Sequence, residues 1–137
     1  MTIAVSDLDA AIRFFALLGF EETRRAVVSG EEMSRYMGIP DWEADHVTLA
    51  LQGAITHQEV QLLRFHHPRL PDRPEERNLA RLGFNHVCFA IDDLDAALDR
   101  LRAAGVPVRN DVMAFHDRRL VFLVGPDDVT IELAEWS

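Results

Sequence analysis

Length, composition and charge define the class of this protein and exclude several kinds of partner. The chain has 137 residues, 48% of them hydrophobic, which is enough to bury a core without disulfides. Its net charge of -9 and its pI near 5.0 disfavour nucleic acid and anionic membrane surfaces as partners. With a single cysteine, no leader segment and no apolar run of about 18 residues, we expect a cytoplasmic protein that does not contact a membrane.

The first half of the chain predicts a strand, a helix and three further strands. A short β-branched segment precedes a helix for which we expect Ser6 as the N-cap and Gly19 as the stop. The apolar stripe of this helix consists of Leu8, Ala11, Ile12, Phe15 and Leu18. A second, short helix is predicted within residues 31–40. The three strands are predicted around residues 26–28, 46–52 and 59–65.

The second half opens on the stretch around which the prediction is organised. His86 begins a strand and shares one face with Cys88 and Ala90, two small residues that are typical of a cavity wall. We expect Asp92 to cap the helix that follows and Gly105 to end it. Three strands are then predicted at residues 106–114, 119–124 and 129–135.

The two halves repeat one another. Ser6-Asp7-Leu8-Asp9-Ala10-Ala11 matches Asp92-Asp93-Leu94-Asp95-Ala96-Ala97 at a constant separation of 86 residues, which also takes Gly19 to Gly105. Each half is therefore a βαβββ unit, too small to bury both faces of its sheet alone. We expect an α+β fold in which the chain, residues 1–137, forms a single domain. Its parts are a first module of residues 1–66, a linker of residues 67–82 and a second module of residues 83–137.

These residues resemble the vicinal oxygen chelate superfamily, which includes glyoxalase I, methylmalonyl-CoA epimerase, extradiol dioxygenases, and fosfomycin and bleomycin resistance proteins. The resemblance is carried by Gly83-Phe84-Asn85-His86-Val87 and by Gly125-Pro126-Asp127 before Ile131-Glu132-Leu133. It implies that the two modules form a curled mixed sheet around a cup that holds a divalent metal ion. It also implies a homodimer and a small-molecule substrate.

Position by position, the resemblance implies three metal ligands. They are His86 on the first strand of the second module, Glu132 on its last strand and Gln61 on the last strand of the first module. The equivalent of His86 in the first module would fall before Met1, so this sequence supplies no fourth ligand. An imidazole, a carboxylate and an amide suit zinc, cobalt, nickel, manganese or iron, with open positions for substrate oxygens. No organic cofactor is implied.

The leading functional hypothesis is a metal-dependent isomerase, epimerase or lyase that acts on a small carbonyl compound. Here the metal polarises the carbonyl, and Glu132 either remains a ligand or acts as the catalytic base. One alternative is a metal-free binding protein of the bleomycin-resistance type, favoured by the missing ligand and the acidic charge. Another is a dioxygenase, which would need a further histidine. Three polar residues at ligand positions favour the enzyme without establishing it.

Several candidate residues also have an ordinary structural interpretation. A histidine such as His86 is commonly hydrogen bonded without any metal, and an amide such as Gln61 is a common side chain in wet cavities. One of Arg118 and Arg119 is a candidate to bind a carboxylate or phosphate of a ligand, although exposed loop arginines are common. The histidines expected to be solvated are His46, His57, His66 and His67.

Overall fold

The computed structural model describes residues 1–72, 79–80 and 82–137, and the chain divides into two compact units, Met1–Asp72 and Arg73–Ser137. Each unit contains one four-stranded mixed sheet and follows the predicted βαβββ order. The predicted linker lies partly outside the described residues. Among the described residues, no helix is long and apolar enough to cross a membrane.

The first unit builds its sheet in the order β1-β4-β3-β2, with β1 parallel to β4 and the other pairs antiparallel. Its elements are β1 (Thr2–Ala4), α1 (Leu8–Leu17), β2 (Phe20–Ser29), α2 (Glu31–Met37), β3 (Glu43–Leu51) and β4 (Glu59–His67). Helix α1 contacts β2 and β4 and buries one apolar stripe. Because α1 covers one face of the sheet, the polar side chains of β3 and β4 that alternate with the core lie on the other face.

The second unit repeats this order as β5-β8-β7-β6, again with one parallel pair, β5 and β8. Its elements are β5 (Val87–Ala90), α3 (Leu94–Ala103), β6 (Met113–Phe115), β7 (Arg118–Val124) and β8 (Thr130–Trp136). A short 3-10 turn, Pro126–Asp128, connects β7 to β8. The buried residues of α3 are Leu94, Ala97, Leu98 and Leu101.

Helices α1 and α3 begin one residue later than the sequence analysis expected. Their N-caps are Asp7 and Asp93, and each carboxylate accepts a hydrogen bond of 2.9 Å from the backbone N–H three residues ahead. The expected caps, Ser6 and Asp92, were therefore wrong. The reason is that each helix begins at its first buried leucine, so the residue just before that leucine becomes the cap.

The predicted strand at residues 106–114 was also largely wrong. Val108 makes only an isolated bridge to Leu123, and regular pairing begins at Met113. Proline has no N–H, so Pro107 can only accept from β7, and the side chain of Asn110 takes the place of a backbone acceptor for the Phe122 N–H at 2.8 Å. The backbone ladder is therefore interrupted at Asn110, between the bridge at Val108 and the pairing that begins at Met113.

Candidate functional site

The register of the two sheets places Gln61 and Glu132 at equivalent positions. In the first unit Thr2 on β1 lies opposite Gln61 on β4, and in the second unit Cys88 on β5 lies opposite Glu132 on β8. Thr2 and Cys88 have the same separation in sequence as the two halves of the repeat. The repeat therefore extends from the helices into the sheet register, which supports aligning Gln61 with Glu132.

His86 and Glu132 come together within the second unit. His86 immediately precedes β5, and its Nε2 lies 3.5 Å from Oε2 of Glu132. This distance is longer than the roughly 2.7–2.9 Å of a charge-assisted hydrogen bond. Two ligand atoms that each lie about 2.1 Å from a tetrahedral metal ion are separated by about 3.4 Å. The spacing of the two side chains therefore fits two ligands of one divalent ion.

Neighbouring side chains orient the imidazole of His86. The Asn85 amide nitrogen donates to the Leu79 carbonyl at 2.7 Å, so its oxygen faces the ring and accepts from Nδ1 of His86 at 2.8 Å. An Nδ1 that donates leaves the Nε2 lone pair of the neutral ring directed toward Glu132. The Phe122 ring packs at 5.0 Å between centroids. Two lone pairs then face each other, an arrangement that needs a cation or a proton between them.

Glu132 is the more buried member of the pair, with 15% of its side chain exposed. Across the parallel strand, the Cys88 thiol is hydrogen bonded to it. Partial burial and then this hydrogen bond raise the pKa of Cys88 to about 11, although the charge of Arg118 acts in the opposite direction. The thiol is therefore protonated at neutral pH. Its role here is to donate to the Glu132 carboxylate, a contact that the sequence analysis missed.

Gln61 lies in a polar cluster of its own within the first unit. Its Oε1 accepts from the hydroxyl of Thr2 at 3.3 Å and from Nε2 of His46 at 3.4 Å. Both distances are at the long end for hydrogen bonds, so the amide oxygen is held only weakly. His46 was expected to be solvated but is partly buried and contacts Gln61. The signal was available, because strand alternation placed His46 opposite to the core-facing residues of β3.

Two of the three expected metal ligands, His86 and Glu132, lie close together within the second unit. Among the described residues, no group of three or more His, Cys, Asp or Glu side chains could hold a metal ion. The second unit joins His86 to Glu132, while the third expected ligand, Gln61, is an amide in the first unit. The geometry of the second unit fits a cation or a proton held between His86 and Glu132.

A protein-family model described as the glyoxalase/bleomycin resistance protein/dioxygenase superfamily matches residues 1–122 of the chain. The chain belongs to this superfamily. This confirms the family expected from the motifs around His86 and Glu132. It also means that the αβ modules described above are those of a glyoxalase-like fold.

Two characterised relatives in sequence are an epimerase and a glyoxalase. The ethylmalonyl-CoA/methylmalonyl-CoA epimerase of Cereibacter sphaeroides is 31% identical over 113 residues, which cover 79% of this superfamily member and 70% of the epimerase. Glyoxalase I of Saccharomyces cerevisiae is 31% identical over 55 residues, which cover 40% of the chain. That match spans only 17% of the yeast protein.

Two solved structures show the same fold. A glyoxalase family protein from Bacillus cereus is 28% identical with a TM-score of 0.88, and the match covers 99% of this chain and 91% of that protein. The fosfomycin resistance protein FosX from Listeria monocytogenes, solved with Mn(II) and a sulfate ion, is 17% identical with a TM-score of 0.61. Its match covers 99% of this chain and 88% of FosX, and it shows the fold alone.

Proposed function

We propose that this superfamily member binds a divalent metal ion and acts as an isomerase, epimerase or lyase on a small carbonyl compound. The ligands are His86 and Glu132, with Gln61 as the third. The observation that carries the proposal is the 3.5 Å separation between His86 Nε2 and Glu132 Oε2, two electron-pair donors that face each other. The epimerase relative supports the reaction class, and the complex of FosX with Mn(II) is consistent with metal use in this fold.

Each residue of the second unit has a defined part in this proposal. When bound, the ion supplies Lewis-acid polarisation of a substrate carbonyl. Asn85 holds the His86 ring so that Nε2 is the binding atom, and the Phe122 ring shields one side of the imidazole from water. Glu132 has a second carboxylate oxygen, which can accept a proton from the carbon next to the carbonyl. The Cys88 thiol, protonated at neutral pH, donates a hydrogen bond to this carboxylate.

A metal-free binding protein is the second candidate, because one observation favours it. The oxygen of Gln61 already accepts from Thr2 and His46, so the first unit satisfies this amide without a metal ion. A binding protein would use Gln61 and His46 as hydrogen-bonding groups for a neutral ligand. In such a protein the facing His86 and Glu132 would share a proton in place of a metal ion.

The test is a metal-binding measurement on protein purified without a histidine tag. Isothermal titration with Zn²⁺ and Mn²⁺ is expected to show one ion per chain in the unmodified protein. Glu132→Ala removes the anionic ligand and is expected to weaken binding at least about 100-fold, while Gln61→Ala weakens it by about 10-fold. Glu21→Ala, an exposed carboxylate on β2, is the matched control and should leave binding unchanged. Metal binding that survives Glu132→Ala would make the binding protein the better account.

A further inference from the structure

The sheet face that carries Glu132 continues along two strands to an exposed cation. In the antiparallel pair β7 and β8, Phe122 lies opposite Glu132 and Arg118 lies opposite Trp136. Because side chains alternate along a strand, these four residues project from the same face of the sheet. Four residues separate the two ends, which is about 13 Å along the strands. The face therefore has the His86 and Glu132 pair at one end and a guanidinium at the other.

The two adjacent arginines have different roles. Arg119 projects from the opposite face, where it makes hydrogen bonds of 2.7 and 3.1 Å to Asp95 and lies 3.6 Å from Glu135. This places Arg119 in a structural ion pair that ties α3 to the sheet. Arg118 lies over the indole of Trp136, with its guanidinium carbon 4.8 Å from the ring centroid. The structure therefore distinguishes two arginines that the sequence analysis left as equal candidates.

The donors of Arg118 remain largely open. Its Nε donates to the exposed carboxylate of Asp117 at 3.1 Å, and within the described part of the chain the Arg118 side chain makes no other hydrogen bond. The four N–H donors of its two terminal nitrogens are therefore available. Packing against an aromatic ring positions a guanidinium without using these donors, whose forked geometry matches a carboxylate or a phosphate.

The net charge of the protein makes a local cation important for an anionic ligand. The protein as a whole carries a net charge of -9, which repels anions at long range. An anionic ligand would therefore depend on a local cation such as Arg118 to bind at this face.

We propose that Arg118, held over Trp136, binds an anionic group of the substrate about 13 Å along the strands from the His86 and Glu132 pair. The substrate class is then an elongated carbonyl compound that bears a carboxylate or a phosphate at its far end. This inference rests on the proposed function for the reacting end of the substrate. It adds a specificity-determining residue that lies outside the ligand set.

The experiment uses straight-chain hydroxamic acids as probes, because a hydroxamate offers two oxygens to a metal ion. Each probe has about eight methylene groups and ends in a carboxylate, a phosphate or a neutral methyl ester. With zinc-loaded protein in isothermal titration, the carboxylate or the phosphate probe is expected to bind at least about 10-fold more tightly than the ester. The stronger of the two anionic probes identifies the anion. Shortening the chain to about two methylene groups is expected to remove the advantage.

Variants of the protein test whether the tighter binding of the anionic probes is due to Arg118. Arg118→Gln is expected to make the anionic and ester probes bind equally, and Arg118→Lys to retain part of the preference. Arg100→Gln removes one exposed positive charge from α3 and should leave the preference unchanged. Equal binding of acid and ester by the unmodified protein would overturn the proposal, as would a preference that persists in Arg118→Gln.

A binding experiment without metal separates failure of this inference from failure of the proposed function. Decanoate and its methyl ester carry no chelating group, so their binding does not depend on His86 or Glu132. Quenching of Trp136 fluorescence by decanoate, absent with the ester and lost in Arg118→Gln, would support the anion site even if zinc does not bind. Absence of quenching together with tight zinc binding would reject the anion site and leave the metal proposal standing.

Discussion

The two modules share a sheet register, but at one cross-strand pair the acidic and the basic residue have exchanged strands. In the first module Asp45 on β3 lies opposite Arg64 on β4, whereas in the second Arg119 on β7 lies opposite Glu135 on β8. Because the acid is on β8, a Glu135 oxygen accepts the backbone N–H of Leu94 at the start of α3, at 2.6 Å. An arginine cannot accept a hydrogen bond, so Arg64 gives α1 no equivalent support.

The same divergence separates the two halves of the candidate site. The second module places a carboxylate, Glu132, beside an imidazole, and the first places a neutral amide, Gln61, beside a hydroxyl and a different imidazole. The parallel strand pairing at Gln61 and Glu132 is the same in both modules, so the difference at this position lies in the side chains. Only the second module has a carboxylate at this position, so the proposed cation binding is expected to depend more on the second module.

The largest effect on stability is expected from equivalent core leucines. Leu62 and Leu133 occupy matching positions on β4 and β8, and both are fully buried. Truncation of either to alanine removes core packing and is expected to cost about 2–5 kcal/mol of the free energy of unfolding. Urea denaturation followed by circular dichroism measures the cost. Leu82→Ala, at a position that is 99% exposed, is the control and should change the midpoint little.

This pair of variants also tests how far the two modules depend on each other for stability. If the modules unfold as one cooperative unit, both variants lower the midpoint of the same single transition. If Leu62→Ala shifts one transition and Leu133→Ala a separate one, the modules unfold independently. A cost well below about 2 kcal/mol for one variant alone would contradict the equivalence of the two positions.

Much of the fold could be predicted because its signals are local. The apolar spacing of α1 and α3, their terminal glycines and the matching segments around Asp7 and Asp93 lie within short stretches of sequence. The predicted strand at residues 106–114 failed because strand length depends on a partner strand. Its pairing with β7 is interrupted at Asn110, whose side chain accepts from the backbone of Phe122, 12 residues along the chain.

For the site, the alternation of side chains along a strand predicted which face a residue lies on, but not which residue of another strand it contacts. Strand parity placed His86 on the same face as Cys88, and the resemblance added Glu132. The hydrogen bond between Cys88 and Glu132 depends on the parallel register of β5 and β8, which residues 44 positions apart do not reveal by themselves. The contact between His46 and Gln61 was missed for the same reason, since it crosses from β3 to β4.

A smaller effect is expected at the helix N-caps, and it should differ between the modules. Asp7 is the side-chain cap of α1, so Asp7→Ala is expected to cost about 1 kcal/mol of stability. Asp93→Ala is expected to cost less, because Glu135 still accepts from Leu94 at the start of α3. Urea denaturation of the two variants compares them. Asparagine at either position retains an acceptor and is the control. An equal or larger cost for Asp93→Ala would show that Glu135 does not support the helix.

The smallest effect is expected from a histidine that the first module holds between two acids. Nε2 and Nδ1 of His66 lie 2.9 Å from carboxylate oxygens of Asp45 and Glu43, and Arg64 is 4.0 Å from the same Asp45. The hydrogen bond to Asp45, followed by that to Glu43, raises the pKa of His66 above its usual 6.5. Both ring nitrogens can donate only when the imidazole is protonated.

Because the folded-state pKa is raised, the stabilisation by His66 is fully present below about pH 6.5 and is lost as the pH rises through the raised pKa. His66→Gln should therefore lower the Tm by roughly 1–3 °C at pH 5.5 and by less at pH 8.5. His67→Gln is the control, since His67 donates to the backbone carbonyl of Asp41 and its partner carries no charge. In the second module the equivalent pair, Arg119 and Glu135, includes no histidine. A Tm difference that does not depend on pH would show that the two carboxylates do not act on His66.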